Sequence, residues 1–293
     1  MFLDPATSQI ALATVRLSLQ GVEALADRVL AHGVLAIDRI YFQGAAMSQH
    51  TGLSQIALAT ALVLLPPLAA PLDRRYHRSN PGTLAKLTYF AITCAFLWAL
   101  TAAAVSIDGW QTLLDGRIQP ITWLPFAAIT APVFGTGSAV FLALSLMPLI
   151  QSLRGARHRR AYAAAYMRNP DVAGLLPLNA VERMAFILVS LTAGICEEAL
   201  YRGYLIHFLH QSPLALSLVA ALLLSSFAFG LGHLYQGWSG VLKAGLVGLV
   251  LGLVYLLSGS LIPAMILHAL IDMQAVVVFW PTANEGPAAA EPA

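Results

Sequence analysis

The chain has 293 residues, 58% of them hydrophobic and 10% charged, with a net charge of +2 and a mean hydropathy of +0.74. A soluble domain carries about 25% charged residues, so this composition excludes an ordinary water-facing globule. The small net charge gives no argument for a nucleic-acid partner. The reading is an all-α, polytopic transmembrane helix bundle of about seven spans with the lipid bilayer as its solvent.

Residues 1–45, within an N-terminal stretch of 1–50, do not read as a signal peptide, having no basic start, compact apolar run and small-residue cleavage site. Arg16, Gln20, Glu23 and Asp27 recur at helical spacing, and Leu12, Val15, Leu19, Val22 and Val29 take another face. This predicts an N-terminal amphipathic helix, lying at the interface or packed on the bundle end. Residues 51–180 hold three predicted spans, 55–72, 84–107 and 121–150, the first short and kinked at Pro66 and Pro67. Between and after them come two basic stretches, Asp73–Arg78 and the run with Arg154, Arg157, Arg159, Arg160 and Arg168, both read as loops.

Short basic loops stay in the cytoplasm. That places 73–82 and 151–170 inside and 108–120 outside. A reporter fused after Gly155 is expected to read cytoplasmic, and one near Asp115 external. The opposite reading at both sites would reverse the orientation. Residues 181–280 supply four more spans, about 183–208, 213–233, 241–258 and 261–280, and 281–293 reads as a polar, disordered tail. Cys94 and Cys196 lie in apolar runs and read as buried small hydrophobes, neither a disulfide nor a metal pair.

Ionisable residues cost roughly 2.5–3.5 kcal/mol each at the centre of a membrane helix, so their presence there points to function. Glu197, Glu198 and Arg202 stand in one such segment, followed by Phe229-x-x-x-His233 and His268-x-x-x-Asp272 in later spans. Glu198 and Arg202 are four apart in the favourable order for an ion pair. Glu197 points about 100° away and keeps a free carboxylate. Asp272, one turn from His268, can fix that imidazole's tautomer or face the same cavity. Gly194, Gly203, Gly230 and Gly232 allow close helix approach.

A carboxylate and two imidazoles suit hydrolysis of an amide or ester, with Glu197 taking a proton from water. The same Glu197, His233 and His268 also make a zinc-ligand set, and the residues alone leave the two mechanisms open. Counting 1.5 Å per residue places Glu197 roughly 21 Å in from Arg183, with His233 nearer the cytoplasm.

In order and spacing, Glu-Glu-x-x-x-Arg, Phe-x-x-x-His and His-x-x-x-Asp resemble the CPBP intramembrane proteases, which include the type II CAAX prenyl endopeptidases and Abi-type relatives. The resemblance covers about residues 180–280. It implies an intramembrane endopeptidase acting on a membrane-anchored protein or peptide, of the prenylated CAAX type or another precursor. It implies Glu197, His233, His268 and Asp272 as catalytic, with Glu198, Arg202 and Phe229 in support, and leaves the cofactor unknown between none and zinc. Asp272 stands where many relatives have Asn, and Asp donates a hydrogen bond only when protonated. The implied location is the cytoplasmic (inner) membrane of a bacterium. The rival reading is a transporter or membrane chaperone using the charges as a substrate or proton path.

Overall fold

The computed structural model describes residues 52–109, 127–211 and 215–280. The expected amphipathic helix of 1–50, most of the external loop and the 281–293 tail lie outside them. The described residues form helices only: α1 (Leu53–Arg78), α2 (Thr83–Asp108), α3 (Ala127–Leu153), α4 (Ala156–Met167), the short α5 (Pro170–Ala173) and α6 (Ala180–Glu198). Helix α6 runs on through a π-helical segment (Ala199–Leu205) into α7 (Ile206–Gln211). Then come α8 (Leu218–Leu231), a 3₁₀ turn (Leu234–Gln236), α9 (Trp238–Ser258) and α10 (Leu261–Val278).

Among the described residues, five helical stretches can cross a membrane by length and composition: Leu53–Arg78, Thr83–Asp108, Ala180–Gln211, Trp238–Ser258 and Leu261–Val278. Ala139–Leu153 and Leu218–Leu231 are apolar but shorter. At 14 residues, α8 is about 21 Å long, less than the roughly 30 Å hydrocarbon core. It is therefore shorter than the expected 213–233 span. Large apolar side chains such as Leu53, Leu72 and Leu84 point outward, as they do where lipid is the solvent. The free thiols Cys94 and Cys196 form no disulfide.

Three expectations need correction. Asp73–Arg78 is the last part of α1, and Ala156–Met167 is a helix inside the second basic stretch. Nothing between Leu72 and Arg78 breaks a helix. Termination waits for Ser79-Asn80-Pro81-Gly82, where Asn80 takes φ 49°. Nor is the first span short, since α1 runs 26 residues with Pro66 and Pro67 inside it. Pro66 has no N–H for the Leu62 carbonyl one turn back, and the buried Tyr201 hydroxyl donates to that carbonyl instead, at 3.3 Å.

The core is built around the π-helical segment. Leu200, Tyr201, Tyr204 and Leu205 pack with Leu58, Ala59 and Leu62 of α1, Ala104 of α2, and Ala228 and Phe229 of α8. Helices α6 and α10 run antiparallel. Arg183 donates to the Phe279 carbonyl at 3.3 Å at one end. Farther along, Gly194 lies against Met265 and Ala269, where a Cβ would come within 2.8 Å of the Met265 carbonyl oxygen. This close approach brings the end of α6 beside His268. The start of α6 is tied to α2 by a buried network: Lys86 Nζ donates to Glu182 at 3.1 Å and to the Leu176 carbonyl at 2.9 Å, and Thr83 donates to Glu182 at 2.7 Å. Arg74 clamps α1 to the turn after His233, donating to the Leu234 and Tyr235 carbonyls at 2.7 and 3.1 Å.

Candidate active site

Glu198 lies at the bottom of the site, with a side-chain exposure of 0%. Its Oε1 accepts from Arg202 Nη1 at 2.7 Å, the ion pair expected one turn along the same helix. The same oxygen is 2.7 Å from His268 Nδ1, across to α10. A carboxylate paired with Arg202 can only accept, so Nδ1 carries the hydrogen and donates it. Glu198 thereby fixes the His268 tautomer, the work that helical spacing offered to Asp272. Asp272 instead faces the other ring nitrogen, Nε2, at 3.7 Å. Glu197 faces Nε2 as well, at 3.9 Å. Both separations exceed a direct hydrogen bond and fall in the range where a shared water or substrate oxygen bridges polar groups.

The cluster has a closed floor and an open rim. Side-chain exposure is 0–1% at Glu198 and Arg202 and 5% at His268, but 21% at Glu197 and 36% at Asp272. The two rim carboxyls are the ones a water or a peptide can reach.

His233 joins through Phe229. The Phe229 ring has its centroid 5.1 Å from that of His233 and 5.5 Å from that of His268, and the Arg202 guanidinium sits 4.4 Å above it. Such a guanidinium over an aromatic face is itself favourable. His233 donates Nδ1–H to the Phe229 carbonyl at 3.2 Å, which leaves its Nε2 as an acceptor. Among the described residues no hydrogen bond or ion pair links His233 directly to Glu197 or His268. The expected depth mismatch has a structural cause: α8 ends at Leu231, and His233 stands in the turn that follows it. Tyr235 of that turn lies with its ring centroid 6.2 Å from that of His233. Burial pushes its hydroxyl up to about 12, so it stays a neutral donor at physiological pH.

Sequence reading missed Gly248. Its carbonyl accepts from Arg202 Nη2 at 3.0 Å. A Cβ there would lie 3.0 Å from both Arg202 Nη2 and Phe229 Cδ1. Gly248→Ala is therefore expected to crowd the floor and cost about 1–3 kcal/mol, measured as a lower melting temperature of the purified protein. The apolar run of α9 gives no signal for this, since the partner is an arginine 46 residues away. The π-helical segment, which carries Arg202 and leaves the Tyr201 carbonyl accepting from Ser225 Oγ at 2.7 Å, was equally unforeseen. Such segments are frequent at functional sites.

Among the described residues, no three His, Cys, Asp or Glu side chains are arranged to hold one metal ion. In the alternative zinc set of Glu197, His233 and His268, His233 is turned to the Phe229 carbonyl and the Phe229 ring lies against both imidazoles.

The fold and this cluster define an all-helical integral membrane protein with ionisable groups gathered inside its bundle. Residues 179–274 match the family model described as type II CAAX prenyl endopeptidase Rce1-like. This stretch, about a third of the chain, contains every motif residue and supports the CPBP/CAAX protease family for the protein. The family implies a peptide hydrolase acting on a membrane-associated protein. No curated protein and no solved structure matches the chain.

Proposed function

We propose that the chain is an intramembrane endopeptidase in which Glu197 activates the attacking water. The observation that carries this reading is the accessible carboxyl of Glu197 beside His268 Nε2, above a floor that holds the imidazole by its other nitrogen. Glu197 takes a proton from water as its oxygen bonds to the scissile carbonyl carbon. His233, with Nε2 free to accept, orients that water. His268 and Asp272 face the carbonyl oxygen and stabilise the charge developing on it when either carries a proton at the facing atom. The C–N bond then breaks, and the proton held by Glu197 passes to the leaving nitrogen.

The substrate is a membrane-anchored protein or peptide precursor, of the CAAX type or another, and the location is the cytoplasmic membrane of a bacterium. The transporter reading is less well supported, because the charges gather at one place and are not strung along a path. Comparing membrane proteomes from cells with the wild-type chain and with Glu197→Ala tests the proposal. An uncut precursor should accumulate with the variant. Identical proteomes would contradict a protease.

Zinc held by Glu197, His233 and His268 is the competing mechanism. Activity of the purified protein is expected to survive chelation. Stoichiometric zinc that is lost together with activity, and restored with it, would overturn the water-activating role of Glu197 alone.

A further inference from the structure

The basic end of α1 is not used by the mechanism above. Arg74, Arg75 and Arg78, with Pro71 and Ser79, line an open surface cavity of about 380 Å³. Asp171 is the acid that faces them, with Arg78 Nε bonded to its Oδ1 and Arg74 Nε 3.9 Å from its Oδ2. Three guanidinium groups against one carboxylate leave the cavity with a positive excess. Arg74 uses Nε and Nη2 to hold the Leu234 and Tyr235 carbonyls, and neither bond involves Nη1. Arg75 is exposed and makes no hydrogen bond or ion pair among the described residues.

The helix register says what kind of anion fits. Leu64, Leu65, Leu68 and Leu72 are 44–72% exposed. At 100° per residue they fall within about 100° of arc, and Arg75 and Ser79 continue the same arc one and two turns later. A single face of α1 thus runs from an apolar strip straight into the guanidinium cavity. That is the profile of a phospholipid, with acyl chains along the leucines and a phosphate at the end. A water-soluble anionic peptide would gain nothing from the strip. We infer that this face of α1 binds an anionic phospholipid, its phosphate held by Arg75 and Arg78 and by the unused nitrogen of Arg74.

The test reads binding, not cleavage, so its failure and the failure of the protease reading are separate. The full-length protein is placed in bilayers of phosphatidylcholine with a minor share of phosphatidylglycerol, then extracted, and the retained lipid is identified by mass spectrometry. Phosphatidylglycerol should be enriched over its share in the bilayer. Arg75→Gln, which breaks no hydrogen bond or ion pair among the described residues, should lower that enrichment about fivefold, the weight of one basic residue near anionic lipid. Arg75→Lys should keep most of it. Equal enrichment in wild type and Arg75→Gln overturns the inference. Protection from thermal unfolding by inorganic phosphate, without lipid enrichment, would overturn the lipid in favour of a free anion. The same result from a peptide with a free C-terminal carboxylate would assign the cavity to a peptide.

Discussion

Glu197→Gln is expected to lower turnover by at least about 100-fold, the lower range for loss of a general base, in a protein that still inserts and purifies. Glutamine keeps the size of the side chain and removes the basic oxygen. Folding should tolerate the change because Glu197 is no part of the closed floor. Its carboxyl is partly exposed, and its nearest ionic partner is 3.9 Å away. Turnover and melting temperature measured on the same preparation separate the two effects. A folded, fully active Glu197→Gln would remove the base from the mechanism.

Glu198→Gln should fail differently. That one carboxylate oxygen holds Arg202 within the helix and His268 across to α10. Breaking a buried pair by removing one partner costs about 3–5 kcal/mol, because the other charge is left behind. The variant is expected to lose yield and melting temperature. What folds should also be slow, because nothing then fixes the His268 tautomer. Arg202→Gln should be similarly unstable. The Glu198→Gln/Arg202→Gln double variant should be less unstable than the two single losses added together, since no lone charge remains in the floor. Additive losses would mean that the two side chains do not act as a pair.

The bundle and the residues of the candidate site are legible in the sequence because membrane insertion makes charge costly. Glu197, Glu198, Arg202, His268 and Asp272 stand out against apolar runs for that reason alone. Helical spacing also located the Glu198–Arg202 pair, which needs only one helix. What spacing cannot give is contact between helices. The bond from Glu198 to His268 joins residues 70 apart, and Phe229 between the two histidines depends on how α8 packs. The same limit hid Gly248 and the Lys86–Glu182 network. Asp73–Arg78 was misread for a different reason. Its charges report on membrane side, and a basic run without Gly or Pro continues a helix as readily as it forms a loop.

The most direct test of the central claim uses the precursor that accumulates with Glu197→Ala. It is incubated in heavy-oxygen water with purified wild type and with purified Glu197→Gln. The account predicts that wild type cleaves one internal peptide bond and leaves a single heavy oxygen in the new carboxylate, and that the Glu197→Gln reaction leaves the precursor intact. Cleavage by both proteins at equal rates, or by neither, would contradict it.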